Sequence, residues 1–244
     1  MALPSPSDQA ERLVHLGVHE LSGTAPDRLR DVAADAPAGA LLVTSARASS
    51  LAPLLRRGGR DGFVVADMTD VDAFAPVEEV PPTPYVIVGL DRGDAFRGRT
   101  PAESVPEILA AGRSPLTLAE GLHWVLQEPD VLERNACFMT PGSRLRRANG
   151  SYDARTPALW ISNGTGRDGA ERRGATKLGW CWWGNHHTWL GVASCAGRPL
   201  LATTSVTWVA LGPRARRNRP LRVSHRGAAS HLSRFRLVER VSKP

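Results

Sequence analysis

Long apolar runs are missing from this chain. No segment reaches the roughly 18 consecutive apolar residues that a membrane span needs, and residues 1–20 lack both a basic start and a continuous apolar stretch. A soluble, cytoplasmic protein with no membrane partner is expected. Cysteine is scarce: Cys137, Cys181 and Cys195 are too few and too unevenly placed for a disulfide framework, so reduced thiols are expected. No internal repeat is visible, and no stretch predicts a bound cofactor. Negative charge is nearly absent from the end of the chain, where residues 199–244 carry 10 basic side chains against Glu239 alone. Residues 1–198 carry 21 basic and 23 acidic side chains, so the net +7 divides into −2 and +9 and belongs to the tail.

What is present suffices for a folded core, with 42% hydrophobic residues in a chain of 244. Ser5 or Ser7 caps a predicted first helix through Gln9 to Leu21, and a second starts after Thr24 at Pro26. The stretches 40–45 and 62–68 read as strands, with a helix near 51–57 that Gly58 and Gly59 end. These form a small β/α region, residues 1–80, before the proline-rich Val80–Pro84. A core domain over 81–198 follows. Tyr85–Leu90 reads as a buried strand, and Thr100-Pro-Ala-Glu103 and Thr117-Leu-Ala-Glu120 are two capping boxes that start helices. Residues 129–135 add a short helical turn. Pro157–Ser162 and Leu178–Trp183 alternate as strands between the polar loops 144–155 and 163–176. The expected architecture is α+β, with helices on a mainly antiparallel sheet and a basic, disordered tail over 199–244.

The densest chemistry lies in Lys177–Arg198, KLGWCWWGNHHTWLGVASCAGR. Gly184-Asn185 between two β-prone runs predicts a two-residue hairpin. That register puts Trp180, Trp182, His187 and Trp189 on one face and Cys181, Trp183, His186 and Thr188 on the other. Cys181 then lies diagonally from His186, about 7–8 Å between backbones, and a three-residue turn would substitute His187. A thiolate stabilised by imidazolium is what nucleophilic catalysis requires, so Cys181 is a candidate nucleophile with His186 or His187 as base. The alternative is a buried small hydrophobe. Zinc on Cys181, Cys195, a histidine and Cys137 is disfavoured, because the spacing Cys-x4-His-His-x7-Cys fits no standard site. The tryptophans offer a third chemistry: Trp180, Trp182, Trp183 and Trp189 wall a pocket, with Asn185 and His186 bonding at its rim. Plain core packing competes with it.

Other features carry weaker signals. Asp91-Arg92-Gly93-Asp94 reads as a loop with internal ion pairs, although ligand groups often occupy such positions. Gly142-Ser143-Arg144 with Arg146 and Arg147 forms either an anion site or a plain basic loop. His123 and Trp124 read as core. Asn163-Gly-Thr matches a glycosylation acceptor that a cytoplasmic protein would not use. The tail either binds nucleic acid through phosphate contacts or is an extension without that role, and Leu200–Leu211 is its one strand candidate.

The motifs PYVIVGLDRGD, GRSPLTLAEG, NACF, PALWIS and KLGWCWWGNHHTWLGVASCAGR, spanning Pro84 to Arg198, resemble an uncharacterised family of cytoplasmic actinobacterial proteins, a domain of unknown function. The resemblance implies no activity, cofactor or functional residue. The function expected from the residues is binding of a small molecule or protein partner in a tryptophan-lined pocket. A Cys181-dependent enzyme is the first alternative and nucleic-acid binding through the tail the second.

Overall fold

Helix α1 (Pro6–His15) begins where the sequence places a cap: the Ser5 hydroxyl accepts from the Asp8 amide and proline takes the first helical position. It ends early because Gly17 adopts a left-handed conformation, and a separate α2 (Val18–Ser22) follows. The remaining helices are α3 (Pro26–Ala34), α4 (Ala48–Leu51), α5 (Pro101–Ala110) and α6 (Leu118–Gln127). Both capping boxes form, with the Thr100 and Thr117 side chains accepting from the Glu103 and Glu120 amides. The computed structural model describes residues 3–200, which fall within one unit. The basic tail, with its strand candidate, lies outside them apart from Pro199 and Leu200.

The architecture is α+β. Strands β1 (Leu41–Val43), β2 (Phe63–Val64), β3 (Phe74–Pro76), β4 (Tyr85–Ile87), β5 (Ser114–Pro115), β6 (Cys137–Met139), β7 (Ser143–Leu145), β8 (Arg155–Ile161), β9 (Thr176–Trp182), β10 (Leu190–Val192) and β11 (Ser194–Cys195) form four sheets. The largest has the order β10-β6-β8-β9-β2. Its inner pairs β6–β8 and β8–β9 are antiparallel, and its outer pairs β10–β6 and β9–β2 are parallel. The ladders β1–β4, β3–β7 and β5–β11 are all antiparallel. Thus β1, β2 and β3, which come from residues 1–80, each pair with a strand that follows residue 81.

The hairpin expected at Gly184-Asn185 does not form. A turn is there, closed by the Asn185 amide on the Trp182 carbonyl at 3.1 Å, but the strands on either side take other partners. Strand β9 pairs along its full length with β8, Trp180 opposite Pro157 and Cys181 opposite Thr156, while β10 lies against β6, with β6 and β8 between it and β9. A seven-residue ladder with β8 outweighs a local turn preference, because each paired strand also buries a face. The segment 183–189 instead crosses to α5 and the loop before it: the Ala102 amide bonds the Trp183 carbonyl and the Gly98 amide bonds that of His187.

Helix α6 is the centrepiece of the core. It touches both β1 and β8, and buries all but one of its residues. Gly121 lets it approach the sheet closely, since a Cβ there would come within 2.5 Å of Thr140 Cγ2. Trp124 packs on Phe138 with ring centroids 5.3 Å apart. His123, expected as core, is fully buried. Its Nε2 accepts from the Thr44 amide at 3.2 Å, which leaves the proton on Nδ1 to donate to the Ala119 carbonyl at 2.8 Å. Burial holds this imidazole neutral, its pKa lowered to about 4. Buried Gln9 from α1 donates to the Ala40 carbonyl at 2.7 Å and accepts from the Leu42 amide at 2.9 Å.

Candidate functional site

Strand alternation and three loop segments produce a cavity at one end of the largest sheet. Cys137 on β6, Trp160 on β8 and Cys181 on β9 belong to the same face, because Phe138 opposes Leu159, and Thr156 opposes Cys181. Trp189, one residue before β10, turns its ring against Trp160, edge to face at 5.9 Å. The segment Glu133-Arg134-Asn135 before β6 and Asn163 after β8 supply a polar mouth. Together these residues, with Ile161 and Trp180, line a space of about 300 Å³, which is the lower end of the range for small-molecule sites. Trp180 and Ile161 border it although alternation assigns their side chains to the opposite face.

The mouth is held by ion pairs at its back. Arg92 donates to Glu133 at 3.0 Å, to the Val131 and Ala136 carbonyls and to Asp94 at 2.6 Å, so the Asp91–Asp94 loop braces the 131–136 segment rather than presenting ligand groups. Asn135 has φ 64°, and is the one non-glycine with positive φ among the described residues, a conformation asparagine tolerates better than most. Lys177 stands 5.1 Å from the Trp160 ring centroid and is anchored to Asp168 at 2.7 Å. A Cβ on Gly179 would reach within 2.5 Å of Trp160 Cη2, so that glycine fixes how closely the indole lies on β9.

The residues expected at a site separate into three groups. Trp180, Trp189 and Cys181 reach the cavity. Trp182 and Trp183 do not: Trp182 is 48% exposed and meets only Trp180 among the rings, 4.6 Å away, and Trp183 stacks on the Arg144 guanidinium at 3.9 Å. Asn185 is exposed on the crossing segment. His186 is tied to the Gly98 carbonyl through Nδ1 at 2.9 Å, and His187 packs its ring on Trp189 with Nε2 buried and unpartnered. Neither histidine hydrogen-bonds Cys181. Burial pushes the Cys181 thiol up to about 12 and raises Cys137 as well. Cys195 is buried on β11, with its pKa raised to about 11 by burial. Among the described residues no three His, Cys, Asp or Glu side chains converge as ligands for a metal.

Trp160 and the mouth residues Glu133, Arg134, Asn135 and Asn163 were not legible as a site. Trp160 carried a partial signal in its strand alternation and in the clustering of tryptophans between residues 160 and 189; the others gave none. Gly142-Ser143-Arg144 is structural: the Gly142 amide bonds the Leu116 carbonyl, the Ser143 hydroxyl accepts from the Leu118 amide, and Arg144 is clasped between Tyr152 and Trp183.

Every residue lining the cavity lies within one continuous match to a family model, residues 12–201, described as a family of unknown function, DUF5701. The chain belongs to that family. No curated protein and no solved structure matches it. The DUF5701 match ends three residues beyond Arg198, whose guanidinium closes on the buried Glu120 carboxylate at 2.6 and 2.9 Å. The Tyr85 hydroxyl and the Thr117 amide complete the shell of that carboxylate. Among the described residues no helix is long and apolar enough to cross a membrane.

Proposed function

We propose that this DUF5701 protein binds a small molecule in the cavity between Trp160, Trp189 and the 133–135 segment. The observation that carries the proposal is the cavity itself, about 300 Å³ with aromatic walls and a polar mouth. Ligand sites combine apolar lining with a few placed polar groups in this way. Cys181 supports binding over covalent chemistry. Its thiol is protonated at neutral pH and hydrogen-bonds neither histidine, whereas a nucleophile needs a base in reach.

Native mass spectrometry of the full chain, purified gently from its own host, tests the proposal. The expected result is a retained adduct below roughly 400 Da, released on unfolding, together with a tryptophan fluorescence change when it is added back. Gly179→Ala drives a methyl into Trp160 and is expected to abolish retention while the fold, read by circular dichroism, persists. An adduct held equally by Gly179→Ala and Trp160→Ala, or bare protein from every preparation, would refute it.

A further inference from the structure

The chemistry lining the cavity is uneven, and the unevenness selects a ligand class. This inference rests on the binding function proposed above. The inner end presents indoles, Ile161 and the Cys137 and Cys181 thiols. Thiols are weak hydrogen-bond partners, and indole N–H groups donate without accepting. A polyol placed there would bury hydroxyls without acceptors, which is costly. A flat aromatic ring meets no such cost. It stacks on indole faces, and sulfur contacts with ring edges are favourable.

The mouth differs in kind. Glu133 lies on the lining, but its carboxylate is held by Arg92 at 3.0 Å. Arg134, next in sequence, forms no ion pair among the described residues, and its one hydrogen bond is a long 3.5 Å contact to Asn163 Oδ1. A guanidinium at a cavity mouth, with the neighbouring acid already neutralised, is a receptor for a carboxylate, which it can grip through two parallel N–H groups. Asn135 and Asn163 line the same cavity, and side-chain amides can donate.

We infer that the cavity takes a small planar aromatic carboxylate, its ring against Trp160 and Trp189 and its carboxylate on Arg134. Lys177 does not compete for the acid group, because Asp168 receives it at 2.7 and 2.8 Å. The ligand leaves its polar edge in the mouth and its apolar edge against the thiols.

The test compares indole-3-carboxylate, benzoate and their primary amides by calorimetry and tryptophan fluorescence, on the wild-type chain and on Arg134→Gln, Arg134→Lys and Trp160→Ala. The acids are expected to bind about tenfold tighter than the amides. Arg134→Gln is expected to bring the acids down to amide affinity while leaving the amides unchanged, and Arg134→Lys to recover part of the difference. Trp160→Ala should weaken acids and amides alike. Amides binding as tightly as acids, or an acid preference that survives Arg134→Gln, would overturn the carboxylate assignment and leave the cavity as a binding site. Absence of binding by all four probes would overturn the assignment too, and a retained adduct of other chemistry in the native spectrum would show that the cavity still binds.

Discussion

Arg198→Ala is the substitution from which the fold should suffer most for its position near the end of the described residues. Glu120 has no solvent exposure, and its two oxygens accept from Arg198 at 2.6 and 2.9 Å. Alanine leaves that carboxylate with the Thr117 amide at 2.7 Å and the Tyr85 hydroxyl at 3.1 Å, both neutral donors. Removing one partner of a buried ion pair costs about 3–5 kcal/mol, because the remaining charge stays desolvated. For a chain of this size each kcal/mol moves the melting temperature by about 2–4 °C, so a fall of roughly 6–20 °C is expected. Urea and thermal unfolding followed by circular dichroism read it directly. The double variant Glu120→Gln with Arg198→Met removes both charges, and is expected to recover most of the loss, since a neutral replacement of a buried pair is often nearly neutral in energy. A loss below about 1 kcal/mol for Arg198→Ala, or a double variant as unstable as the sum of the singles, would refute the reasoning.

Three further outcomes follow from buried polar groups. His123 has a folded pKa lowered to about 4 from an ordinary 6.5. The unfolded chain therefore binds a proton first, and the contribution of this group is fully present above pH 6.5, falls between 6.5 and 4, and amounts to about 3 kcal/mol; unfolding free energies across that window check it against His123→Gln, which should lack this step. Gln9→Ala strips the Leu42 amide and the Ala40 carbonyl of their partners and should cost about 2–4 kcal/mol, with faster hydrogen exchange at the Leu42 amide as the local readout. Cys181, its thiol pushed up to about 12, should react with a disulfide reagent at pH 8 about a thousandfold more slowly than a free cysteine; rapid labelling at Cys181, located by mass spectrometry, would restore the nucleophile.

Much of the fold was readable because its signals are local. Ser5, Thr100 and Thr117 cap helices through contacts three residues away, and the alternation in β8 and β9 needs no knowledge of partners. Gly184-Asn185 misled for the complementary reason. It specifies a turn, whereas strand pairing is decided by residues distant in sequence, and β8 claims β9 first. The site was half legible on the same grounds. Trp180, Cys181 and Trp189 lie in one conspicuous segment, but the cavity is completed by Trp160 and by a mouth drawn from residues 133–135 and 163. Those meet only when β6, β8 and β9 line up. Glu120 shows the same limit, since its capping role is written in four consecutive residues and its pairing with Arg198 spans 78.

The outer side of β1 has a consequence for the protein in company. A strand with one neighbour normally offers a row of free amides and carbonyls on which a second chain can add itself. Here three groups of that row are taken by two side chains from different helices: Gln9 meets both the Ala40 carbonyl and the Leu42 amide, and His123 meets the Thr44 amide. A single amide side chain thereby stands in for a neighbouring strand at two successive contacts. Strand addition at this margin would first have to break these three bonds, so the contacts that tie α1 and α6 to β1 also oppose self-association by that route.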